Sequence, residues 1–238
     1  TFFFAIVPKI AALTVFIRFL YIPFLEIMDQ WQMIIVFLSI ASMILGAVAA
    51  IGQKNLKRLI AYSSISHIGY AIAGLSTGTN EGIQSSILYI TIYAIMNLGF
   101  FACLLMIRKN EKYYENIEDL SGLSKNHPLI SLAMLIILFS LAGIPPMAGF
   151  FAKFYIFISV IEKSMYFLAI IGLLATVIAA FYYLRIIKII YFDEPIEKYD
   201  TDHPLGLKIS LILSTLFIIF YFLYPNGLIM FISKINII

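Results

Sequence analysis

Residues 128–160 read PLISLAMLIILFSLAGIPPMAGFFAKFYIFISV, an apolar run that contains two adjacent prolines and one charged residue, a lysine. A helix needs about 20 predominantly apolar residues to cross the ~30 Å hydrocarbon core of a bilayer. This run is long enough to cross. However, Pro145 and Pro146 have no N–H to donate to the carbonyls four residues earlier, and their rings clash with that turn. The sequence therefore predicts a membrane helix that is broken near its middle.

The rest of the chain is similarly apolar. Hydrophobic residues make up 62% and charged residues 12% of the 238 residues, and the mean hydropathy is +0.99. A soluble domain is about half apolar and about a quarter charged, and the strands of a membrane β-barrel alternate instead of forming long runs. We therefore predict one all-α domain over residues 1–238, a polytopic transmembrane helical bundle. Its seven predicted spans are Phe2–Phe24, Trp31–Ile51, Leu59–Gly78, Ile83–Ile107, Pro128–Val160, Met165–Tyr191 and Leu205–Tyr224.

Few residues in this sequence could hold a cofactor. The single cysteine, Cys103, can form neither an intrachain disulfide nor a cysteine-ligated iron–sulfur site. There is no glycine-rich dinucleotide motif, no P-loop and no cluster of metal ligands. His127 and His203 each precede a proline and are interpreted as turn residues. The net charge of +3 is small and dispersed, so we expect no nucleic-acid partner and no cofactor in this chain.

Basic residues are concentrated in alternate connections between the predicted spans. The positive-inside rule places such connections in the cytoplasm. The rule therefore predicts that the C-terminus lies on the other side of the membrane. On that side, Lys163 is the one basic residue in the connections, and Lys234 is the one in the tail. The basic connections and their flanks contain Lys54, Lys57 and Arg58; Arg108, Lys109, Lys112 and Lys125; and Arg185, Lys188, Lys198 and Lys208.

Two lysines lie deep inside predicted spans, away from the span ends, where a charge costs roughly 2.5–3.5 kcal/mol and needs a cavity, a partner or a function. Lys153 is about seven residues from both Pro146 and Val160, roughly 10 Å along a helix. That depth is too great for its side chain to reach the interface easily. Broken helices form ion and proton sites in transporters, so we interpret Lys153 as a functional group. The alternative for Lys153 is a side chain that snorkels to the interface, and the alternative for the interruption is an ordinary proline kink. Lys9, in the first span, is interpreted in the same way.

Polar side chains form one continuous stripe on each of two predicted spans. A histidine can exchange a proton near neutral pH, and hydroxyl groups with ordered water can pass it on. The stripes are therefore candidates for a proton relay around His67. The alternative is that they only hold the bundle together by hydrogen bonds between helices. The stripes are Ser63, Ser66, His67 and Tyr70 in the third span and Ser86, Tyr89, Tyr93 and Asn97 in the fourth.

Small residues recur at helical spacing in two other spans, where they allow helices to approach closely in lipid. We interpret them as packing seams and assign them no chemistry. They are Ser39, Ser42, Gly46 and Ala50 in the second span and Gly172, Thr176 and Ala180 in the sixth.

Two segments of the chain resemble a known family. Residues 55–70 read NLKRLIAYSSISHIGY and residues 141–155 read LAGIPPMAGFFAKFY. Both are similar to segments of the antiporter-like membrane subunits of respiratory complex I, the proton-pumping NADH:quinone oxidoreductase. Within this family, the sequence around Lys153 is most similar to the subunit N type. The resemblance extends over the whole chain.

The resemblance implies a fold of fourteen helices built from two inverted five-helix repeats, each with one broken helix. This chain, which starts at Thr1 inside apolar sequence, would be the C-terminal part of such a polypeptide and contain its last seven helices. Residues 1–24 would be the last helix of the first half. Residues 31–191 would be the second repeat, with its broken helix at 143–149, and residues 205–224 would be the final helix.

The resemblance also implies roles for individual residues. Lys153 corresponds to the lysine of the second broken helix, next to the proposed proton exit, and Lys9 to the lysine that bridges two half-channels. His67 corresponds to the histidine of the central path. The glutamate–lysine pair of the family's first repeat has no counterpart in this sequence. The other candidates come from the polar stripes and the helix break described above, and not from the resemblance. The relay candidates are Ser63, Ser66, Tyr70, Tyr93 and Asn97, and the break is made by Pro145 and Pro146.

The function that the resemblance implies is proton translocation, driven by electron transfer from NADH to quinone in other subunits. This chain would be a non-redox subunit, with FMN, iron–sulfur clusters and quinone in its partners. Those partners would include neighbouring antiporter-like subunits, in a bacterial inner membrane or, alternatively, a mitochondrial one. Two other functions are open: a subunit of a multi-subunit cation/proton antiporter, and a purely structural membrane scaffold. The two lysines inside the spans argue against a scaffold.

Loop charge predicts the sidedness of individual positions. Lys57, Lys112 and Lys198 are expected to face the cytoplasm. Glu81 and the C-terminal tail are expected to lie on the other side. Single cysteines at these positions, in a Cys103→Ser background, can be labelled from outside intact cells with a membrane-impermeant thiol reagent. We expect label at Glu81→Cys and none at the three lysine positions; the opposite pattern would reverse the orientation.

Overall fold

The computed structural model describes residues 2–109, 112–195 and 199–235. Within these residues the predicted all-α fold is confirmed, with ten α-helices and one pair of two-residue strands, β1 (Arg108–Lys109) and β2 (Lys112–Tyr113). The helices are α1 (Phe2–Tyr21), α2 (Met28–Ile51), α3 (Leu56–Leu75), α4 (Asn80–Met106), α5 (Leu123–Asn126), α6 (Pro128–Ala142), α7 (Ala148–Glu162), α8 (Tyr166–Phe192), α9 (Leu205–Phe220) and α10 (Asn226–Ile232).

Four helical segments of the described chain are long and apolar enough to cross a membrane. They are Leu25–Ile51, Asn80–Met106, Tyr166–Phe192 and Leu205–Leu223. The remaining predicted spans are also helical, and the fifth is divided into α6 and α7. The interruption covers residues 143–147, so Ala148 and Gly149, which the sequence analysis placed in the break, belong to α7.

The bundle is arranged around α4, which packs against α1, α3, α6, α7, α9 and α10. Most of α4 is buried, whereas α2, α8 and α9 turn apolar side chains outward. Met33 is 72% exposed, Val177 is 70% exposed and Leu213 is 61% exposed. Apolar surface of this extent is typical of a face that contacts lipid or another membrane subunit.

α2 and α3 pack closely along the small residues of α2. Gly46 faces the backbone of α3, where an added Cβ would lie 2.8 Å from Tyr62 O and 3.0 Å from Ser66 Cα. At the same interface, Ser39 Oγ donates a hydrogen bond to Gly69 O at 2.8 Å. Small residues therefore let the two backbones approach, as the spacing predicts.

The three basic connections lie at the same end of the bundle and contact one another. Leu56 N–H donates to Glu115 O at 2.7 Å, which joins the α2–α3 connection to the α4–α5 connection. The same two connections form an ion pair between Lys57 and Glu115. The α8–α9 connection joins them, because Asp200 N–H donates to Arg108 O at 2.8 Å. Loop charge placed these connections on one side of the membrane, and the structure brings them to one end.

The connection between α4 and α6 is the least regular part of this end. β1 pairs antiparallel with β2, and a 3-10 turn at Glu118–Leu120 precedes the four-residue α5. Lys112 is described by its backbone alone. Lys198, in the α8–α9 connection, lies outside the described residues.

The Gly46 contact predicts the effect of one added methyl group. Gly46→Ala places a Cβ against the backbone of α3, so we expect a loss of about 1–3 kcal/mol of stability. Gly52→Ala, at the end of α2, is the matched control, because no heavy atom lies within 4 Å of its added Cβ. The measurement is the melting temperature of the purified protein in detergent. Equal melting temperatures for the two variants would contradict the packing.

Candidate functional site

Lys153 lies at the junction of the two half-helices α6 and α7. Its side chain is buried, with only 4% of the residue exposed. Its Nζ donates hydrogen bonds to the carbonyl oxygens of Ala142 at 3.0 Å and Leu141 at 3.3 Å. The lysine therefore folds back onto the last turn of α6 instead of extending toward a membrane surface.

The C-terminus of α6 leaves carbonyl groups that need donors. An α-helix has no intrahelical partners for its last four carbonyls. Gly143, with φ of +87°, ends α6 in the left-handed conformation. In this conformation Gly143 N–H donates to Ser140 O, and Ile144 N–H donates to Phe139 O, both at 3.0 Å. Two of the four carbonyls are satisfied in this way, and two remain.

The remaining carbonyls belong to Leu141 and Ala142. In a continuous helix they would accept from the N–H groups four residues later, but those residues are Pro145 and Pro146, which have none. Lys153 Nζ supplies both missing donors. Its charge also lies at the negative end of the α6 dipole. The double proline and the lysine therefore form one structural unit.

The surroundings of Lys153 contain dipoles and an aromatic ring. A Cβ at position 143 would lie 3.0 Å from Lys153 Cδ and 3.1 Å from its Nζ, so Gly143 also leaves room for the lysine. The Nζ atom lies 5.2 Å from the ring centre of Tyr70, within the range of a cation–π contact. Across the described residues, no carboxylate forms an ion pair with Lys153. The ammonium is therefore held by carbonyl groups and a ring face.

His67 is the centre of a second hydrogen-bonded group, in the interior between α3, α4 and α8. Its Nδ1 lies 2.7 Å from the Tyr89 hydroxyl, and its Nε2 lies 3.1 Å from the Tyr183 hydroxyl. Tyr183 in turn donates to Ser63 Oγ at 3.0 Å, and Ser63 donates to Ile60 O at 3.3 Å. The histidine and its partners are buried.

The direction of each hydrogen bond in this group follows from the bond that Ser63 donates to the carbonyl of Ile60. Because Ser63 donates to a carbonyl, it must accept from Tyr183, and Tyr183 must then accept from His67 Nε2–H. A neutral imidazole has one donor and one acceptor nitrogen, so Nδ1 accepts from Tyr89. The four side chains form a directed chain, from the Tyr89 hydroxyl through His67 and Tyr183 to Ser63.

Lys9 contacts α3 at Ser64, one residue away from the last member of this chain of hydrogen bonds, Ser63. Its Nζ donates to Ser64 Oγ at 2.6 Å, and Ser64 donates to Ala61 O at 2.6 Å. The Lys9 side chain is half-buried. Lys9 and the His67 group are therefore joined through adjacent residues of α3, Ser63 and Ser64, and not by a direct hydrogen bond.

Tyr70 bonds to α8 instead of to His67. Its hydroxyl donates to Gly172 O at 3.0 Å and lies 2.8 Å from Thr176 Oγ1. The sequence analysis assigned Thr176 to packing alone, and the structure adds a hydrogen bond to a candidate relay residue. The ring centroids of His67 and Tyr70 are 6.4 Å apart, so Tyr70 lies between the His67 group and Lys153.

The other relay candidates occupy the edges of these groups. The Tyr93 ring lies against His67, with centroids 4.6 Å apart. Asn97 Nδ2 donates to the carbonyl of Tyr93 at 2.9 Å, a bond within α4. Ser66 Oγ is buried and has no hydrogen-bond partner in the described part of the chain. The structure therefore brings Tyr93 to the site, and Asn97 is joined to the site through Tyr93.

The sequence analysis missed Tyr183, the residue that joins α8 to the site. Gly172, Thr176 and Tyr183 are spaced i, i+4 and i+11 in the sequence and lie on one face of a helix. Extending the small-residue seam by two turns would have found the tyrosine. Ser64 was missed because it lies beside the stripe of α3 and not on it.

Residues 1–179 match the protein family described as NADH:quinone oxidoreductase/Mrp antiporter, TM. The chain belongs to this family. The resemblance that residues 55–70 and 141–155 indicate is therefore confirmed. The matched residues include every side chain of the site except Tyr183.

Curated relatives extend the comparison over the whole chain. NADH-quinone oxidoreductase subunit N of Pelagibacter ubique (strain HTCC1062) is 73% identical over 238 residues, which are 100% of this chain and 50% of the relative. The subunit N of Parvibaculum lavamentivorans (strain DS-1 / DSM 13023 / NCIMB 13966) is 52% identical over 230 residues, 97% of this chain and 48% of the relative. The chain thus spans about half the length of the curated relatives it matches.

Solved structures share the fold. A chain of respiratory complex I from Thermus thermophilus with bound aureothin is 29% identical, with a TM-score of 0.72 over 82% of this chain and 44% of that chain. A chain of the Mrp complex from Dietzia sp. DQ12-45-1b has a TM-score of 0.82 over 94% of this chain and 50% of that chain. Its 20% identity shows likeness of fold alone.

The directed hydrogen bonds from Tyr89 through His67 and Tyr183 to Ser63 predict the effect of removing the Tyr183 hydroxyl. Tyr183→Phe keeps the ring but removes the group between His67 and Ser63. If these hydrogen bonds carry protons in the complete protein, its proton translocation should fall about tenfold or more. Tyr221→Phe is the matched control, because its buried hydroxyl has no hydrogen-bond partner among the described residues. The measurement is proton uptake by membrane vesicles per assembled protein; equal rates for both variants would exclude Tyr183 from the path.

His67→Ala separates a relay from simple bonding between helices. If His67 relays protons, translocation falls more than assembly does, because the alanine variant has no proton-binding group. If His67 only holds α3 to its neighbours, less protein assembles but the assembled fraction translocates normally. Assembly on native gels and proton uptake in vesicles provide the two readouts, and the second pattern would contradict the relay.

Proposed function

We propose that this chain forms a proton-translocating part of subunit N of a bacterial NADH:quinone oxidoreductase. The observation that carries the proposal is Lys153, a buried amine that has no carboxylate partner among the described residues and lies at a helix break. The names of the similar curated proteins support the assignment to subunit N. Residues 31–191 would form one five-helix repeat, with residues 1–24 and 205–224 as flanking helices.

In this proposal, Lys153 alternates between charged and neutral forms without moving. An ammonium has three N–H donors. Two of them are used by the carbonyls of Leu141 and Ala142, so the third is the proton that can be transferred. A neutral amine keeps two N–H groups for the same carbonyls and presents a lone pair where the third proton was. Both forms therefore fit the same site.

The His67 group would pass protons by exchange at the two ring nitrogens. A proton that reaches Nδ1 from the Tyr89 side lets Nε2 release its own proton to Tyr183, which donates to Ser63. Because the hydrogen bonds already point in this direction, no side chain has to turn for a proton to reach Ser63. Ser63, which donates to the carbonyl of Ile60, must then turn to release its proton to water. The imidazole and hydroxyl groups must reorient before a second proton follows.

Among the described residues, the hydrogen bonds of Lys9, His67 and Lys153 do not join these three groups to one another. Transfer between them therefore requires water molecules, which buried polar groups without a protein partner normally bind. Ser66, whose Oγ has no partner within the described residues, directly precedes His67 and lies one helical turn before Tyr70, so it is the candidate to hold such a water. Its hydroxyl would connect the His67 group to the Tyr70 side of the site.

The energy for translocation would come from other subunits. The one cysteine of this chain, Cys103, is buried and free and could not hold an iron–sulfur cluster alone. FMN, iron–sulfur clusters and quinone would belong to partner subunits, and this chain would be a non-redox part of the oxidoreductase. The exposed apolar faces of α2, α8 and α9 are available for neighbouring antiporter-like subunits and lipid. The C-terminus would lie outside the cytoplasm, in a bacterial inner membrane.

The second candidate function is that of a subunit in a multi-subunit cation/proton antiporter. This chain shares its fold with a chain of the Mrp complex, and that similarity supports this second candidate. An antiporter subunit would use an ion gradient and would need no redox partner. Copurification decides between the two: subunits with FMN and iron–sulfur clusters would support the oxidoreductase, and their absence from a stable, active complex would support the antiporter.

Lys153→Arg tests whether the lysine must lose its proton. Arginine keeps the charge and can donate to the carbonyls of Leu141 and Ala142, but it does not deprotonate in a protein. Proton pumping and the electron transfer coupled to it are expected to fall about tenfold or more, with assembly retained. Lys153→Ala is expected to lose both the donors and the activity.

Lys163→Arg is the matched control, because Lys163 is exposed at the end of α7. The measurements are NADH:quinone activity and proton uptake in membrane vesicles, with the amount of complex checked on native gels. Full pumping by Lys153→Arg would contradict the proton-carrier role. In that case Lys153 would be a fixed charge that only caps α6.

A further inference from the structure

An apolar groove lies on the outside of the bundle between α6 and α9. Its volume is about 440 Å³. The floor and walls are almost entirely aliphatic, and two basic side chains, Lys208 and His203, line the same groove. Neither belongs to the candidate proton site. The aliphatic lining includes Ala133, Ile136, Ile212 and Leu216.

The groove extends from the membrane surface to the middle of the bilayer. From Lys208 to Ile219, the lining residues of α9 span eleven residues, or about 16 Å at ~1.5 Å per residue. That length is about half of the ~30 Å hydrocarbon core. Lys208 is at the end that contains the three basic connections. The groove therefore has the depth of one lipid leaflet, with its polar end at the headgroup level.

The polar end contains buried groups without partners. His203 is 8% exposed, and neither of its ring nitrogens has a hydrogen-bond partner within the described ranges. The same holds for Nε of Arg108, whose Nη2 donates to the carbonyl of Asp202 at 3.0 Å. Buried polar atoms of this kind are normally satisfied by protein, water or a ligand. Of these basic side chains, Lys208 and His203 line the groove, so their donors are available to an acceptor at its polar end.

The electrostatic field at this end favours an anion. Burial lowers the pKa of His203, and the positive charges of Arg108 and Lys208, with His127 beside them, lower it further. Asp200 opposes them by raising the pKa of His203, but its effect is the smallest. No carboxylate lines the groove itself, as far as the described residues show. The charged groups that act on His203 are therefore mostly positive.

We infer that this groove binds a phospholipid with an anionic headgroup. Its phosphate accepts hydrogen bonds from Lys208 and His203, and one acyl chain lies along the aliphatic wall of α6 and α9. Basic pockets between membrane helices bind such headgroups on the cytoplasmic side.

Photocrosslinking in the complete subunit and its complex tests the inference. p-Benzoylphenylalanine replaces Leu216 in the groove, or Val177 on the lipid-facing side of α8 as the control; these residues are 44% and 70% exposed. The complex is reconstituted in vesicles of equal parts phosphatidylglycerol and phosphatidylcholine. Mass spectrometry identifies what is crosslinked to each position.

At position 216 we expect phosphatidylglycerol to exceed phosphatidylcholine about fivefold, which corresponds to ~1 kcal/mol for one basic side chain at a membrane surface. The control position should show equal amounts. Lys208→Ala should remove the preference, and Lys208→Arg should restore it. Equal crosslinking of both lipids at position 216 would overturn the anionic site, and crosslinking to another polypeptide would show that the groove is a subunit interface.

Discussion

A backbone carbonyl in the membrane interior needs a donor from the protein, because little water is present to replace a missing one. This constraint determines how the helix break is built. Gly143 and Ile144 cap two carbonyls of α6, and Lys153 caps the two that the prolines leave open. The same bonds fix the position of the amine. The ionisable group and the element that breaks the helix therefore depend on each other, and neither is stable at this depth alone.

The candidate proton site is built around this break from helices that are distant in sequence. α3 contributes His67 and Tyr70, α4 contributes Tyr89, and α8 contributes Tyr183. The side chains form separate hydrogen-bonded groups with aromatic rings between them. Such a site contains many neutral donors and acceptors and, in the described chain, no carboxylate paired with either lysine. The positive charges in the site therefore belong to the two lysines and are stabilised by carbonyl and hydroxyl dipoles. Without a fixed carboxylate beside it, a buried lysine can more easily take the neutral form.

The outer surface differs from the interior in the kind of side chain that it presents. α2, α8 and α9 present aliphatic side chains to the membrane, while the basic connections gather at one end and bond to one another. The groove between α6 and α9 joins these two features, because its aliphatic wall ends at Lys208 and His203. His203 was interpreted from sequence as a turn residue, yet it is buried, and its ring nitrogens have no hydrogen-bond partner in the part of the chain that the structure describes. The turn directs it toward the groove.

The sequence alone determined the all-α membrane fold, the helix break and which polar and charged candidates lie on α3 and α7. These properties depend on local composition and spacing: apolar length sets a span, proline removes a donor, and a period of 3.6 residues puts polar groups on one face. Only the tertiary structure decided which groups meet. Tyr183 reaches His67, Tyr70 bonds to Thr176, and Lys153 turns to the end of α6. These contacts join residues far apart in the chain, and the packing of helices against one another, which no local pattern encodes, sets their distances.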